Sequence, residues 1–431
     1  MTKNDCLLSK FYATFAKTKL MTTLLIALII FFSIIWILLA ILLFARKKLV
    51  PEGNVKIHIN EEKDIQHERG CSLLQALGDE HIFMPSACGG GGTCGTCKGR
   101  VLSGGGSILP TEKTLINKKL QEDNYRLFCQ VKVREDMSIE IPKEVFGVKK
   151  WECEVISNHN VATYIKELVV KLPEDDKIDF RSGGYIQVDV PKCCINYKDF
   201  IIDNEYINDW QRMNFFNLVM KNGEHTSRAY SMANHPQEND RIMLNVRIAT
   251  PPFDKSKGTL MNVNPGICSS YLYSLKAGDK VNISGPYGEF FLHDSNNEMM
   301  FIGGGAGMAP MRSHIFDLFK TQHTKRKVTF WYGGRSVREL FYVNDFEEIA
   351  HNNDNFNFNI ALSDPLAEDK WTGYTGFIHE VIYENYLKAH KYPEDIEYYI
   401  CGPPLMLKAV LKMLDNLGVD ENMIFYDDFG G

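Results

Sequence analysis

Three cysteines crowd one glycine-rich run, Cys88-Gly89-Gly90-Gly91-Gly92-Thr93-Cys94-Gly95-Thr96-Cys97, and Cys129 follows in Leu127-Phe128-Cys129-Gln130. Four thiolates are the ligand set of a [2Fe–2S] cluster, and close ligands plus one distant one suit a loop wrapped over a small sheet. A chain bending around a cluster needs positive φ angles and unobstructed amides, which glycine supplies. Zinc is the competing chemistry, because Cys94-x2-Cys97 is also a zinc half-site. A zinc knuckle usually adds a second such pair or two histidines, and nothing near Cys129 supplies either.

Two further groups of residues suit nucleotides. Gly303-Gly304-Gly305-Ala306-Gly307-Met308-Ala309-Pro310 follows an apolar run and precedes a helical one, so its backbone can approach a pyrophosphate at a helix N-terminus. Taken alone it also fits a structural turn. Tyr398-Tyr399-Ile400-Cys401-Gly402-Pro403-Pro404 puts a thiol at a strand end, where ligands of open α/β sheets bind, although a buried inert cysteine would look the same. In Arg228-Ala229-Tyr230-Ser231, strand alternation puts Arg228 and Tyr230 on one face, a cation for phosphate and an aromatic for a flat ring, as a flavin nucleotide requires. Gly266-Ile267-Cys268-Ser269-Ser270 can start a helix facing that phosphate.

The elements that must position these residues read as an α+β multidomain chain. Residues 20–45 carry no charge and are bounded by Lys19 and by Arg46-Lys47-Lys48. As a helix they would reach about 39 Å, more than the ~30 Å hydrocarbon core. The run is too long for a signal peptide and no Ala-x-Ala site follows, so a single transmembrane helix behind a flank at 1–19 is expected. Lys10, Lys17 and Lys19 make that flank basic too, so orientation rests on the redox chemistry, which places the C-terminal part on the cytoplasmic side.

A ferredoxin-like β-grasp domain is expected over 46–142, with strands at 55–60, 131–133 and 138–141 and a short helix at 72–77. A linker at 143–150 leads to an antiparallel β-barrel over 151–289, with strands at 164–172, 185–190, 228–232 and 243–249. Within it, 192–226 is aromatic-rich without a clear period, and reads as a surface excursion or as a contact for a partner subunit. The adjacent Cys193 and Cys194 read there as incidental. From 290 to 431, strands at 299–302, 327–332, 356–361 and 397–401 alternate with helices, the first at 308–321, as in a parallel α/β sheet. In 431 residues, a net charge of −6 and no dense basic patch argue against nucleic acid, and eleven scattered cysteines fit a reducing compartment.

The Arg-x-Tyr-Ser strand, Gly266-x-x-Ser269, the glycine turn and Cys401-Gly402-Pro403-Pro404 resemble the ferredoxin–NADP reductase superfamily. The order of anchor, ferredoxin module, flavin barrel and nucleotide domain is similar to the F-subunit family of sodium-translocating NADH:quinone reductases. Further likeness lies in Ser86-Ala87-Cys88, Phe146-Gly147-Val148-Lys149-Lys150-Trp151-Glu152-Cys153, Met232-Ala233-Asn234, Asn245-Val246-Arg247-Ile248-Ala249 and Asp427-Asp428-Phe429-Gly430-Gly431. Five residues separate Cys88 from Cys94 where plant-type ferredoxins have four, a departure that the narrower family shares.

The resemblance implies a role for each residue. Cys88, Cys94, Cys97 and Cys129 would hold the [2Fe–2S] cluster. Arg228 would hold the FAD pyrophosphate, Tyr230 would pack on the flavin and Ser231 would reach its N5 region. Asn245, Val246 and Arg247 would line the FAD site, with Ser269 and Ser270 on its phosphates. Gly303, Gly304, Gly305 and Gly307, with Gly402 and Pro403, would admit NADH, and Cys401 would sit near the nicotinamide. Phe429 would cover the flavin until the nicotinamide displaces it, since hydride transfer needs the rings stacked.

NADH delivers two electrons together and the cluster accepts one, so FAD must lie between them. Arg335 and Arg338 could meet a 2′-phosphate, but the resemblance implies NADH. It also implies a bacterial inner-membrane location, sister subunits, and quinone reached through them. A soluble aromatic-ring oxygenase reductase, or a membrane-tethered electron carrier or scaffold, are the other readings. The span argues against the first and the intact flavin motifs against the second. No ionisable residue lies between Lys19 and Arg46, so sodium coupling has no seat in the span.

Overall fold

A computed structural model describes residues 25–44, 53–174 and 176–429. Leu25–Phe44 is one helix, exposed along its whole length, and its twenty residues reach about 30 Å, long and apolar enough to cross a membrane. The rest of the expected span (20–24 and 45), the flank 1–19, residues 46–52 and Gly430 and Gly431 lie outside the described residues.

The first module is a five-stranded sheet in the order Lys63–Glu68, Asn54–Ile59, Met137–Glu140, Lys98–Ser103, Tyr125–Leu127, with a parallel pair at Asn54–Ile59 and Met137–Glu140. Alternation puts Val55, Ile57 and Ile59 inward, where they meet Leu73, Ala76 and Leu77 of the helix Leu73–Asp79. Ser72 caps that helix by accepting the Gln75 amide at 3.2 Å. The strand expected at 131–133 does not form. The amides of Val131 and Val133 bond Leu127 and Cys71 carbonyls, and only Lys132 makes an isolated bridge, to Ser72. The expected linker is also shorter than its reading. Lys143–Gly147 forms a 3-10 turn whose Val145 joins the module's core, and Lys149 already begins the long strand Lys149–Ala162.

That strand enters a six-stranded antiparallel sheet in the order Thr226–Ser231, Tyr185–Val190, Lys280–Tyr287, Lys149–Ala162, Ile165–Lys171, Arg241–Arg247. A bridge between Met232 and Leu244 brings its two ends together. Residues 192–226 are not a surface excursion. They fold into the strands Cys193–Asn196 and Val219–Asn222 around the helix Ile207–Arg212, and Tyr197, Phe200, Tyr206, Trp210 and Phe215 are buried in the barrel core. Trp210 stacks on Tyr273 with centroids 5.7 Å apart and donates Nε1–H to the Thr163 carbonyl at 2.8 Å.

The last module is a parallel sheet in the order Tyr374–Thr375, Phe356–Leu362, Val328–Gly334, Met299–Gly303, Glu397–Cys401, Ile424–Asp427, with a separate core on each face. Chain order runs one way from Met299–Gly303 and the other way from Glu397–Cys401. The two strands are neighbours, with Gly303 opposite Cys401, so the switch point for a ligand lies at these two residues. The helix expected at 308–321 is α-helical only over Met308–Phe316 and widens into a π turn at Asp317–Thr321.

Candidate cluster, flavin and nicotinamide sites

The loop leaving the helix Leu73–Asp79 has positive φ at Gly89, Gly90, Gly92 and Gly95. Ser86 Oγ accepts the Gly90 amide at 2.8 Å and Thr96 Oγ1 accepts the Ala87 amide at 3.0 Å, which curls the loop on itself. The four thiols gather as two pairs. Cys88 and Cys94 sulfurs lie 3.3 Å apart, and Cys97 is hydrogen-bonded to Cys129. Sharing one hydrogen bond pushes Cys88 down and Cys94 up, and Cys129 down and Cys97 up. Two all-sulfur pairs fit a dinuclear cluster whose irons each take two thiolates.

On the barrel, Arg228 is exposed and Tyr230 half-buried, on the same face of the strand Thr226–Ser231. Arg228 Nη1 donates to the Cys88 carbonyl at 2.9 Å and to its own neighbour Ser227 at 2.7 Å. Burial pushes the Cys268 thiol up to about 11 and the Arg228 charge pulls it back, so the start of the helix Ile267–Ser274 lies within electrostatic reach of Arg228. A methyl on Gly266, at that start, would stand 2.6 Å from Ala249 Cβ, so the approach needs glycine. An exposed guanidinium beside free helix amides and a half-buried phenol fits a dinucleotide diphosphate and its ring.

Several expected flavin residues face elsewhere. Ser270 is fully buried, its hydroxyl bonded to Tyr197 OH at 2.7 Å and to the Gly266 carbonyl at 2.6 Å. The helix turns that side chain toward Tyr197 in the aromatic core. Ser269 Oγ, also buried, accepts the Ala249 amide at 3.1 Å. Val246 points into the barrel core, so only its backbone could line a ligand, while Arg247 is exposed. Asn245 donates Nδ2–H to Tyr342 OH at 2.8 Å across the domain boundary, and its buried Oδ1 has no partner, an acceptor open to a ligand.

At the switch point the glycine turn lies against Cys401 and Gly402. A methyl on Gly304 would stand 2.6 Å from the Gly333 carbonyl, one on Gly307 2.2 Å from the Cys401 carbonyl, and one on Gly303 2.6 Å from Met311. Gly305 alone takes a positive φ, +57°. Gly402 and Pro403 lead into the helix Pro404–Asn416.

The Cys401 thiol is wholly buried, and burial, with Asp427 and Asp428 nearby, pushes it well above its ordinary range, so it is a neutral thiol. Asp427 pairs in register with Cys401, and Ser231 Oγ donates to Asp427 Oδ2 at 2.8 Å. Burial raises the Asp427 carboxyl against that hydrogen bond. Sequence reasoning gave Asp427 no role, because only the pairing of the last strand brings it to Ser231. Phe429 follows it, 46% exposed. Of the two arginines considered for a 2′-phosphate, Arg338 is committed to Asp209 and, at 2.9 Å, to Thr163.

A thiol cage, an antiparallel barrel and an open parallel sheet, in that order behind one apolar helix, make a nicotinamide-linked iron–sulfur flavoprotein. Family models match each module: the 2Fe-2S iron-sulfur cluster binding domain at 57–134, the oxidoreductase FAD-binding domain at 212–292 and the oxidoreductase NAD-binding domain at 301–412. The chain belongs to the F-subunit family of the Na+-translocating NADH-quinone reductase, a membrane complex with other subunits. It is 57% identical to the F subunit of the Neisseria gonorrhoeae enzyme over 94% of this chain and 98% of the relative, and 57% identical to its Haemophilus ducreyi counterpart over the same shares. It is an oxidoreductase that oxidises NADH through FAD and a [2Fe–2S] cluster.

The fold is shared with an Amycolatopsis cytochrome P450 reductase, at 23% identity and TM-score 0.61 over 87% of this chain and 98% of the other. It is shared too with the ferredoxin reductase in carbazole 1,9a-dioxygenase, at 21% identity and TM-score 0.55 over 88% of this chain and 99% of the other.

Proposed function

We propose that this chain is the electron-input component of its complex at a bacterial inner membrane, anchored by Leu25–Phe44 with its redox modules on the cytoplasmic side, passing electrons to sister subunits and through them to quinone. When bound, FAD accepts a hydride from NADH and gives up its electrons singly, as the cluster requires. Arg228, Tyr230 and the amides at the start of Ile267–Ser274 hold FAD, and the turn at Gly303–Gly307 with Gly402 and Pro403 admits the NADH pyrophosphate. Cys88, Cys94, Cys97 and Cys129 hold the cluster.

The observation that carries this reading is the meeting of Ser231, Asp427 and Cys401 where the barrel strand abuts the switch point of the parallel sheet. Ser231 donates its proton to Asp427, and the same hydroxyl can rotate to donate to the oxidised flavin's N5, which carries no hydrogen and only accepts. Cys401 remains protonated and excludes water from the sheet end, and Phe429 covers the flavin until the nicotinamide arrives. Commitment of Arg338 to Asp209 supports NADH over NADPH.

The test is Cys129→Ala in the full chain. The iron–sulfur absorption should disappear while NADH still reduces the bound flavin. A folded, FAD-loaded variant that has lost both would defeat the sequence of carriers.

A further inference from the structure

Outside the cluster, flavin and nicotinamide sites, the ferredoxin module carries a second group of side chains with chemistry of its own. His67 lies near the end of the strand Lys63–Glu68, paired across the sheet with Val55, and its ring is only 16% exposed. Gly70, with a φ of +106°, turns the chain so that Cys71 comes back beside that ring. The Gly70 amide bonds the Val133 carbonyl at 2.8 Å and the Val133 amide bonds the Cys71 carbonyl at 3.1 Å, which fixes the turn. Cys71 Sγ then lies 3.3 Å from His67 Nδ1. Across the ring, Nε2 lies 3.0 Å from Oδ2 of Asp79, the last residue of the helix Leu73–Asp79. A strand, a turn and a helix end thus bring together thiol, imidazole and carboxylate, in that order.

A cysteine attacks as its thiolate, and an imidazole at hydrogen-bond distance can take the proton while a carboxylate holds the ring. Nδ1 also faces the Glu68 carbonyl at 3.0 Å, so a proton on Nδ1 meets an acceptor there, and one on Nε2 meets Asp79. Burial opposes a charge on this ring, but the Glu68 carbonyl, Asp79 and Glu80 outweigh it and raise its pKa above 6.5. Cys71 is half-buried. Burial pushes its thiol above 9.0, Asp79 adds to this, and Lys132 opposes it. Loss of the proton to water is therefore disfavoured at neutral pH, and His67 is the base within reach. Because the sulfur and the carboxylate sit at opposite nitrogens of the ring, the three groups do not converge on one metal ion.

We propose that Cys71, His67 and Asp79 form a modification site at which an anionic low-molecular-weight disulfide exchanges with the Cys71 thiol. The Cys71 proton passes to His67 Nδ1 as the sulfur attacks one sulfur of the disulfide. A new S–S bond joins Cys71 to that half, the old S–S bond breaks, and the departing thiolate takes the proton from His67. Cys71 is oxidised to the mixed disulfide and the departing sulfur is reduced to a thiol, so no other oxidant enters. Lys132, bridged through its backbone to Ser72 next to Cys71, supplies positive charge for the carboxylates of the incoming molecule. The site uses neither flavin nor nicotinamide, so it stands or falls apart from the path of electrons.

The full chain in detergent, carrying FAD and cluster, is incubated with oxidised glutathione, and mixed disulfides are located by peptide mass spectrometry. Cys194, which is more exposed than Cys71, is the reference thiol. At neutral pH Cys71 should react at least about tenfold faster than Cys194. Its rate should rise through the His67 titration, above 6.5, and level off before the thiol's own, above 9.0. His67→Gln should slow Cys71 by at least about tenfold, replace the plateau with a climb of about tenfold per pH unit, and leave Cys194 unchanged. Asp79→Asn, at an exposed carboxylate, should move the start of the plateau to lower pH. Cys71 reacting no faster than Cys194, or a His67→Gln chain with the unaltered rate and profile, would overturn the site. If His67→Gln loses its cluster absorption, the comparison of Cys71 with Cys194 and the pH profile of the unaltered chain decide the matter without a variant.

Discussion

Replacing Gly307 by alanine isolates how closely the glycine turn must approach the sheet end. Its φ of −64° and ψ of −7° suit any residue, so alanine brings no backbone strain, only a methyl. That methyl would stand 2.2 Å from the Cys401 oxygen, 2.4 Å from its carbonyl carbon and 2.7 Å from the Gly402 nitrogen. All three are backbone atoms, which no rotamer change can move aside. Ordinary contact begins at 3.4 Å, so the turn must open by about 1.2 Å, the difference from 2.2 Å. Overpacking of this kind costs about 1–3 kcal/mol, and a misplacement of about 1 Å can cost on the order of 100-fold in a step that depends on ring alignment.

Anaerobic rapid mixing of the FAD-loaded Gly307→Ala chain with NADH should therefore show flavin bleaching slowed by about 10- to 100-fold. Cluster absorption should be intact. Gly305→Ala is the comparison. Its φ is +57°, but the nearest atoms to a methyl there are 3.8 and 4.0 Å away, so it should lose about 1–2 kcal/mol of stability without forcing the turn away from Cys401. Bleaching at the unaltered rate in a flavin-loaded Gly307→Ala chain would refute the reasoning, because the turn would then have room that the geometry denies.

Lys166 is buried in the barrel, its ammonium donating to the Tyr273 carbonyl at 3.2 Å, and burial holds its pKa down to about 8 from 10.5. The folded chain thus binds that proton less tightly than the unfolded chain, and stability rises between about pH 8 and pH 10.5. Lys166→Met should gain up to about 3 kcal/mol at pH 7 and under about 1 kcal/mol at pH 10 in denaturant unfolding, and equal gains at both pH values would contradict the buried charge. Glu112 is fully buried, paired with Arg126 at 2.8 and 2.9 Å and accepting the Leu109 and Leu127 amides. Glu112→Gln leaves Arg126 uncompensated and should cost about 3–5 kcal/mol, read as cluster loss at lower denaturant; an unchanged midpoint would count against it. Phe429→Ala should change the rate of flavin reduction by NADH while FAD stays bound, and identical kinetics would remove the lid role.

Local chemistry was legible where spacing alone determines it. Four thiols and a glycine loop name their ligand, and the turn at Gly303–Gly307 sits at the strand–helix junction that its residues imply. Features that depend on distant partners were not legible. Nothing within 192–226 indicates that Trp210 and Phe215 pack under Tyr273, because no period governs residues that fill a barrel end. Ser270 and Ser269 are adjacent in sequence, and only the turn of the helix against Tyr197 decides which way each points. Asp427 becomes meaningful only when the last strand pairs beside Cys401. Val131 and Val133 have strand-like side chains, but their amides bond a turn and a helix approach instead of a ladder.

The aromatic insert also bears on how the protein comes apart. Its helix Ile207–Arg212 carries Asp209, which pairs with Arg338 of the nucleotide domain, while Thr163 at the barrel strand ends bonds both Arg338 and Glu339. The insert is therefore one of several fastenings between the barrel and the parallel sheet, beside Asn245–Tyr342, Ser231–Asp427 and Arg312–Glu238. Heat should melt them in a single calorimetric transition, with the ferredoxin module free to melt separately. A nick within Lys143–Gly147 should divide the molecule into two folded pieces.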